Sequence, residues 1–220
     1  VLDQACAVTA AWNARRSAPL GVSVNLSARQ LTDPHLLDTV RGALASSGLP
    51  AQLLCLEVTE TVVMEDPVAS GLVLAQLREL GVRIAVDDFG TGYSSLAYLL
   101  SLPVDVLKVD RSFVSAVGEG GPGAAIVSAV LALARTLGLG VVAEGVERAE
   151  QRHVLLGLGV VSAQGWLWGQ AVPAADAGWA ALDGPLPQLG NGIPRARRGG
   201  AIELDQRPAE ELVAERRPPS

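Results

Sequence analysis

Two neighbouring stretches decide the fold: Leu53-Leu54-Cys55-Leu56-Glu57-Val58-Thr59-Glu60 and Arg83-Ile84-Ala85-Val86-Asp87-Asp88. Each is a short run of aliphatic and β-branched residues that stops on carboxylates, and the segment between them, 67–80, opens on Pro67 and spaces its apolar residues for a helix. Two such runs joined by a helix read as a parallel strand–helix–strand unit. Working outward, the same reading predicts further strands over 21–26, 104–109, 140–144 and 160–164. It predicts further helices over 34–47, 95–102, 124–137 and 149–158. Residues 1–16, with apolar positions at Val1, Ala5, Val8 and Trp12, read as one more amphipathic helix, entered part-way. Six short apolar strands alternating with helices predict an α/β fold whose parallel sheet is covered by helices.

Composition narrows the chemistry. A chain of 220 residues that is 49% hydrophobic can bury one sizeable core. No apolar run approaches the roughly 20 residues needed to span a bilayer, and no basic-then-apolar leader opens the chain, so the expectation is a soluble cytoplasmic segment without membrane contact. Cys6 and Cys55 sit among apolar neighbours, as buried thiols do. A formal charge of −6 argues against binding along a DNA or RNA backbone, so a nucleotide partner should be small. Lys108 is the one lysine among 17 basic residues, and it lies inside an apolar run, where a lysine needs a partner or a task.

In parallel β/α folds the carboxyl ends of the strands share one face, where chemistry gathers. The strands here end in Asn25, in Glu57 with Glu60, in Asp87 with Asp88, in Lys108 with Asp110, in Glu144 with Glu147, and in Gln164. Singly, each has an ordinary use as a turn or cap residue. Together, four or more carboxylates at one mouth repel each other unless a cation is bound. His35 and His153 fall in helical stretches away from the strand ends, so the donors are oxygens and suit a hard ion such as Mg²⁺ or Mn²⁺. Two such ions sharing Asp87, with Lys108 orienting a water or neutralising developing charge, would serve phosphoester hydrolysis.

The loop Phe89-Gly90-Thr91-Gly92 follows the paired aspartates and has the flexibility to close over a substrate. Its Asp-Phe-Gly resembles a kinase element, but no kinase lysine strand or His-Arg-Asp loop accompanies it. Gly118, Gly120 and Gly123 fit G-x-G-x-x-G, yet Pro122 removes an amide from any phosphate cradle, and a plain glycine-rich connector is the better reading.

Six motifs in order carry a family resemblance: Asn25-Leu26-Ser27-Ala28-Arg29-Gln30; Glu57-Val58-Thr59-Glu60; residues 87–95; Leu107-Lys108-Val109-Asp110-Arg111-Ser112-Phe113; Ala143-Glu144-Gly145-Val146-Glu147; and Gln164-Gly165. From residue 1 to about residue 180 the chain resembles the EAL domain, which hydrolyses cyclic di-GMP. The resemblance implies a modified TIM-like (β/α)8 barrel, lacking its first two strands in this chain, that opens cyclic di-GMP to linear pGpG with two Mg²⁺ or Mn²⁺ ions. It implies Asn25, Glu57, Asp87, Asp88 and Glu144 as metal ligands, and Lys108, Glu144, Gln164 and Glu60 in catalysis, Glu60 by steadying the loop after Asp88. Phe89, Gly90, Thr91 and Gly92 become the substrate loop, with Asp110 and Glu147 standing behind the ligands. A homodimer, and an upstream sensor, GGDEF (diguanylate cyclase) domain or membrane anchor in the parent protein, complete what the family implies.

Two departures keep a second reading open. The family's opening segment, with its metal-binding Glu-Ala-Leu glutamate, is absent from this chain. After Gln164-Gly165, Trp166 and Gly169-Gln170-Ala171 stand where the family has Tyr and then Arg-Pro. The alternative is a degenerate EAL-like module that binds cyclic di-GMP or a protein without hydrolysis. Residues 1–183 are expected to form the barrel domain, and 184–220, rich in Pro, Gly, Arg and Glu, a disordered tail. A barrel short of two strands has open edges. The isolated chain, itself inactive on this reading, should therefore melt in a broad, low-temperature or aggregating transition, which calorimetry checks against a sharp cooperative one.

Overall fold

The computed structural model describes residues 1–92, 99–118 and 122–177. The expected tail 184–220 and the first half, 95–98, of the expected helix 95–102 lie outside these residues. Five parallel strands form one sheet: β1 Val22–Asn25, β2 Leu54–Thr59, β3 Arg83–Phe89, β4 Val106–Val109 and β5 Gly140–Ala143. Their spatial order is their chain order. Every crossover therefore adds the next strand to the same growing edge, the singly wound connectivity of a β/α barrel wall rather than the reversed order of a doubly wound sheet.

Helix α1 (Leu2–Asn13) precedes β1; α2 (Ala28–Leu31) and α3 (Leu36–Ser47) connect β1 to β2; α4 (Glu60–Glu65) and α5 (Pro67–Glu79) connect β2 to β3. Helices α6 (Arg111–Ser115) and α7 (Pro122–Leu137) lie between β4 and β5, and α8 (Ala149–Leu158) follows β5. None of the described helices is long and apolar enough to cross a membrane. The sixth expected strand, 160–164, is reduced to a single bridge between Ala143 and Ala163. Around it Ala143 N–H donates to the Ser162 carbonyl at 3.0 Å, Gln164 N–H to the Ala143 carbonyl at 2.8 Å and, past Gly145 at φ +68°, Val146 N–H to the Gln164 carbonyl at 3.0 Å.

The pleat divides each strand between two faces. Leu54, Leu56 and Val58, Ile84 and Val86, Leu107 and Val109, and Val141 and Ala143 join the main core with Leu74 and Leu77 of α5 and Val127 and Leu131 of α7. The alternate residues Cys55, Ala85, Val106 and Val142 form a separate small apolar cluster. Burial on both faces explains why the strands read as continuous apolar runs. Two residues further along each of these strands, on the same parity, come Glu57, Asp87, Lys108 and Glu144. On each strand the charged residue thus follows the apolar one on the same face, toward the carboxyl end.

Helix α7 begins hard against α6: a Cβ on Gly123 would lie 2.3 Å from the Phe113 carbonyl oxygen and 2.7 Å from the Ala116 carbonyl carbon. Gly157 in α8 has no such neighbour. Gly123→Ala should cost about 1–3 kcal/mol through overpacking. Gly157→Ala should be neutral or stabilise by up to about 1 kcal/mol. Urea denaturation midpoints of the two variants check the contrast.

Candidate active site

Lys108 lies on β4, where all four residues are buried, and is only 4% exposed. Its ammonium meets Glu57 Oε2 at 2.5 Å, Glu144 Oε1 at 2.7 Å and Asp87 Oδ1 at 3.0 Å. β2, β3 and the end of β5 each contribute one carboxylate. Burial alone would lower the Lys108 pKa, but Glu57 and Glu144 beside it more than offset that and hold it above its ordinary value. One ammonium does not neutralise three carboxylates. Burial accordingly pushes Glu144 up to about 7, against the pull of Lys108 and with Asp87 adding to the rise.

A bulge aims the aspartates. Val86 pairs with Leu107 and Phe89 with Val109, so Asp87 and Asp88 together stand opposite Lys108 alone. Asp88 accommodates the extra residue at φ +53°, a conformation that aspartate tolerates better than most side chains, and its N–H donates to Asp87 Oδ1 at 3.0 Å. Carboxylate oxygens of Asp87, Asp88 and Glu144 come within 4.8 Å of one another. Burial, then the charges of Asp87 and Asp110, raise the Asp88 pKa against Lys108. A cluster of oxygen donors carrying excess negative charge fits a hard divalent cation.

Around this cluster the other expected residues take distinct places. Gln164 donates from Nε2 to Glu144 Oε1. Asn25, exposed at the end of β1, is in register with Glu57. Glu60 lies outside the ion-pair cluster: it is 1% exposed, and its Oε2 accepts the Gly90 N–H at 2.6 Å. A Cβ on Gly92 would come within 2.7 Å of Glu60 Oε1, and one on Gly90 within 2.8 Å of the Phe113 ring, so the two glycines let this loop lie close to both side chains. Thr91 Oγ1 donates to the Asp88 carbonyl at 2.9 Å, and the Phe89 side chain belongs to the main core. Residues 93–95 lie outside the described residues.

Asp110 caps α6, accepting from Ser112 N–H at 2.9 Å and Ser112 Oγ at 2.5 Å; burial raises its pKa, but these bonds and the Arg111 backbone prevail and leave it low. Glu147 is exposed. His35 precedes α3 and His153 lies on α8, both outside the oxygen cluster. Sequence reasoning missed the bulge, for which the Asp-Asp doublet was the available signal, and the buried Gln151 beside Glu147, for which there was none.

The profile of the EAL domain family matches residues 1–171. The chain is 48% identical over 174 residues to the Pseudomonas aeruginosa protein named bifunctional diguanylate cyclase/cyclic di-GMP phosphodiesterase MucR, covering 79% of this chain and 25% of that protein. It therefore spans about a quarter of the length of such curated relatives. Among solved structures it resembles the MucR phosphodiesterase in complex with c-di-GMP, at 48% identity and a TM-score of 0.74, with 79% of this chain and 76% of that one aligned. The EAL domain of Mycobacterium smegmatis DcpA aligns at 41% identity and a TM-score of 0.75, over 80% and 79% of the two chains. A manganese and cyclic di-GMP complex of Klebsiella pneumoniae BlrP1 aligns at 31% identity and a TM-score of 0.67, over 76% and 42%.

A divalent cation entering this cluster competes with the proton that Glu144 carries below about pH 7. Its affinity should rise between about pH 6 and about pH 8 with proton release. Calorimetric titration of Mg²⁺ in two buffers of different ionisation enthalpy at each pH measures both.

Proposed function

The chain belongs to the EAL domain family, and from that membership we propose that it is a cytoplasmic, metal-dependent phosphodiesterase unit that hydrolyses cyclic di-GMP to linear pGpG. The observation that carries the reading is the buried Lys108 held by Glu57, Asp87 and Glu144 beside the bulged Asp88. So many acids at a strand-end mouth would repel an anionic diester, and they suit such a substrate only with cations among them.

Asn25, Glu57, Asp87, Asp88 and Glu144 are the residues to hold the metal, as two Mg²⁺ or Mn²⁺ ions. Bound there, such ions supply positive charge to a phosphodiester and acidify water. The chain's own groups do the rest. Lys108 keeps an ammonium at the floor of the site, where it can donate to a water or to developing negative charge. Gln164 fixes the Glu144 carboxylate through its hydrogen bond. Glu60 restrains the segment from Gly90 to Gly92 that would lie over the substrate. Asp110 caps α6 just after Lys108, and the exposed Glu147 follows Glu144 in the loop after β5, each standing behind the ligands on this reading. We infer likewise a homodimer, as the family resemblance implies, and a sensor or diguanylate cyclase unit in the same protein, in keeping with a relative named for both activities of which the match covers 25%.

The binding-only reading is favoured by one feature, the rim where Trp166 is 64% exposed and Gly169-Gln170-Ala171 follow. Mutation separates the two. In the protein that carries this domain, Glu57→Ala or Asp87→Ala should reduce pGpG formation by more than about 10²-fold and weaken Mn²⁺ binding. Lys108→Ala should lose turnover while keeping affinity for the nucleotide. Chromatographic quantification of pGpG and calorimetric nucleotide binding check these outcomes. Unchanged turnover in any variant overturns the role assignments, and nucleotide binding without turnover in the unaltered protein selects the binding module.

A further inference from the structure

Gln151, in the first turn of α8, is 2% exposed and makes three hydrogen bonds. Its Oε1 accepts the N–H groups of Glu147 and Arg148, each at 2.9 Å, and its Nε2 donates to the Val114 carbonyl of α6 at 3.2 Å. The first two bonds close the loop that leads from Glu144 into α8. The third crosses to the helix that follows Lys108 and Asp110. A glutamate would serve the loop amides and the start of a helix equally well. An amide both accepts from the two N–H groups and donates to the carbonyl, which an ionised carboxylate of the same length does not.

The two loops are also in direct contact. Gly145 lies so close to α6 that a Cβ there would sit 2.5 Å from Arg111 Cβ. On its other side, Val146 is 0% exposed, donating its N–H to the Gln164 carbonyl at 3.0 Å and accepting from Leu167 N–H at 3.0 Å. The segment carrying Glu144 is therefore gripped between α6 and the 164–167 turn, and Gln151 supplies the polar tie on the α6 side.

We propose that Gln151 is a positioning residue for the metal centre: by tying the loop after β5 to α6, it sets where Glu144 stands relative to Lys108 and Asp87. This rests on the metal-dependent reading above. Supporting groups of this kind change metal affinity by about 10–100-fold when removed.

Gln151→Glu keeps the acceptor for both loop amides, but it turns a second carboxylate oxygen on the Val114 carbonyl in place of the donor and buries a charge. It should lower the melting temperature and weaken Mn²⁺ binding about tenfold, read from the paramagnetic resonance signal of free Mn²⁺. Leu74→Ala, a core truncation in α5, should lower the melting temperature and leave Mn²⁺ affinity unchanged. If Gln151→Glu binds Mn²⁺ as tightly as the unaltered protein, or if Leu74→Ala weakens binding equally, the positioning role is overturned and the metal centre stands. If the unaltered protein binds no Mn²⁺, the metal centre falls and this role with it. Should Gln151→Glu not fold, amide exchange in the unaltered protein decides. Mg²⁺ should slow exchange at the Glu147 and Arg148 amides, and no change there overturns the role.

Discussion

One buried ammonium serving three carboxylates is the interaction on which the rest of the site depends. Charges removed from water are costly, and a buried ion pair repays that cost only with good geometry and satisfied hydrogen bonds. Here Lys108 reaches Glu57, Asp87 and Glu144 at distances between 2.5 and 3.0 Å. Burial, with Asp87 beside it, leaves Glu144 with an elevated proton affinity against the pull of Lys108, and the surplus of acid gives the cluster a standing attraction for cations. A purely structural ion pair would have no reason to carry this surplus of acid. Lysine fits the role because it presents a compact charge on a long apolar stem, which can pass through the buried strand to the acidic layer.

The sheet makes this cluster possible through parity. In each of β2, β3 and β4, and at the end of β5, an apolar residue of the inner face is followed two positions later by a charged one: Cys55 then Glu57, Ala85 then Asp87, Val106 then Lys108, Val142 then Glu144. The register staggers them, since Glu57 pairs with Ala85 and Lys108 with Val142 while Asp87 stands opposite Lys108, and the side chains close the offset. The bulge in β3 adds the remaining element, because it gives Asp88 a place beside Asp87 that a regular pleat would have turned toward the helices.

Helix α6 is the junction of the surrounding loops. Phe113 takes up the space beside Gly90, Arg111 stands against Gly145, the Phe113 and Ala116 backbone receives Gly123, and Val114 accepts from Gln151. Three of these contacts work only because glycine brings backbone into contact. A five-residue helix too short to be stable alone is held by its Asp110 cap and by these neighbours, and in turn it fixes the loops after β3 and β5.

Much of this was legible in the residues. The β/α alternation follows from runs such as 53–59 and 83–88, whose apolar continuity marks strands buried on both faces. The acids at the strand ends, and the preference for a hard cation, follow from residue type. Other features needed the folded chain. The segment 160–164 has the composition of a strand, yet it adds only the bridge between Ala143 and Ala163, flanked by backbone bonds to Ser162 and Gln164. By residue type Glu60 reads like the other strand-end acids; the family resemblance sets it apart as the acid of the loop after Asp88, and in the fold it accepts the Gly90 N–H. Sequence by itself determined which elements form and which chemical groups sit at their ends, because periodicity and residue type act over a few residues. Tertiary structure alone decided which carboxylates share Lys108, how the bulge aims Asp88 and what Gln151 ties together. Those outcomes depend on register and contacts between residues as far apart as Glu57 and Glu144.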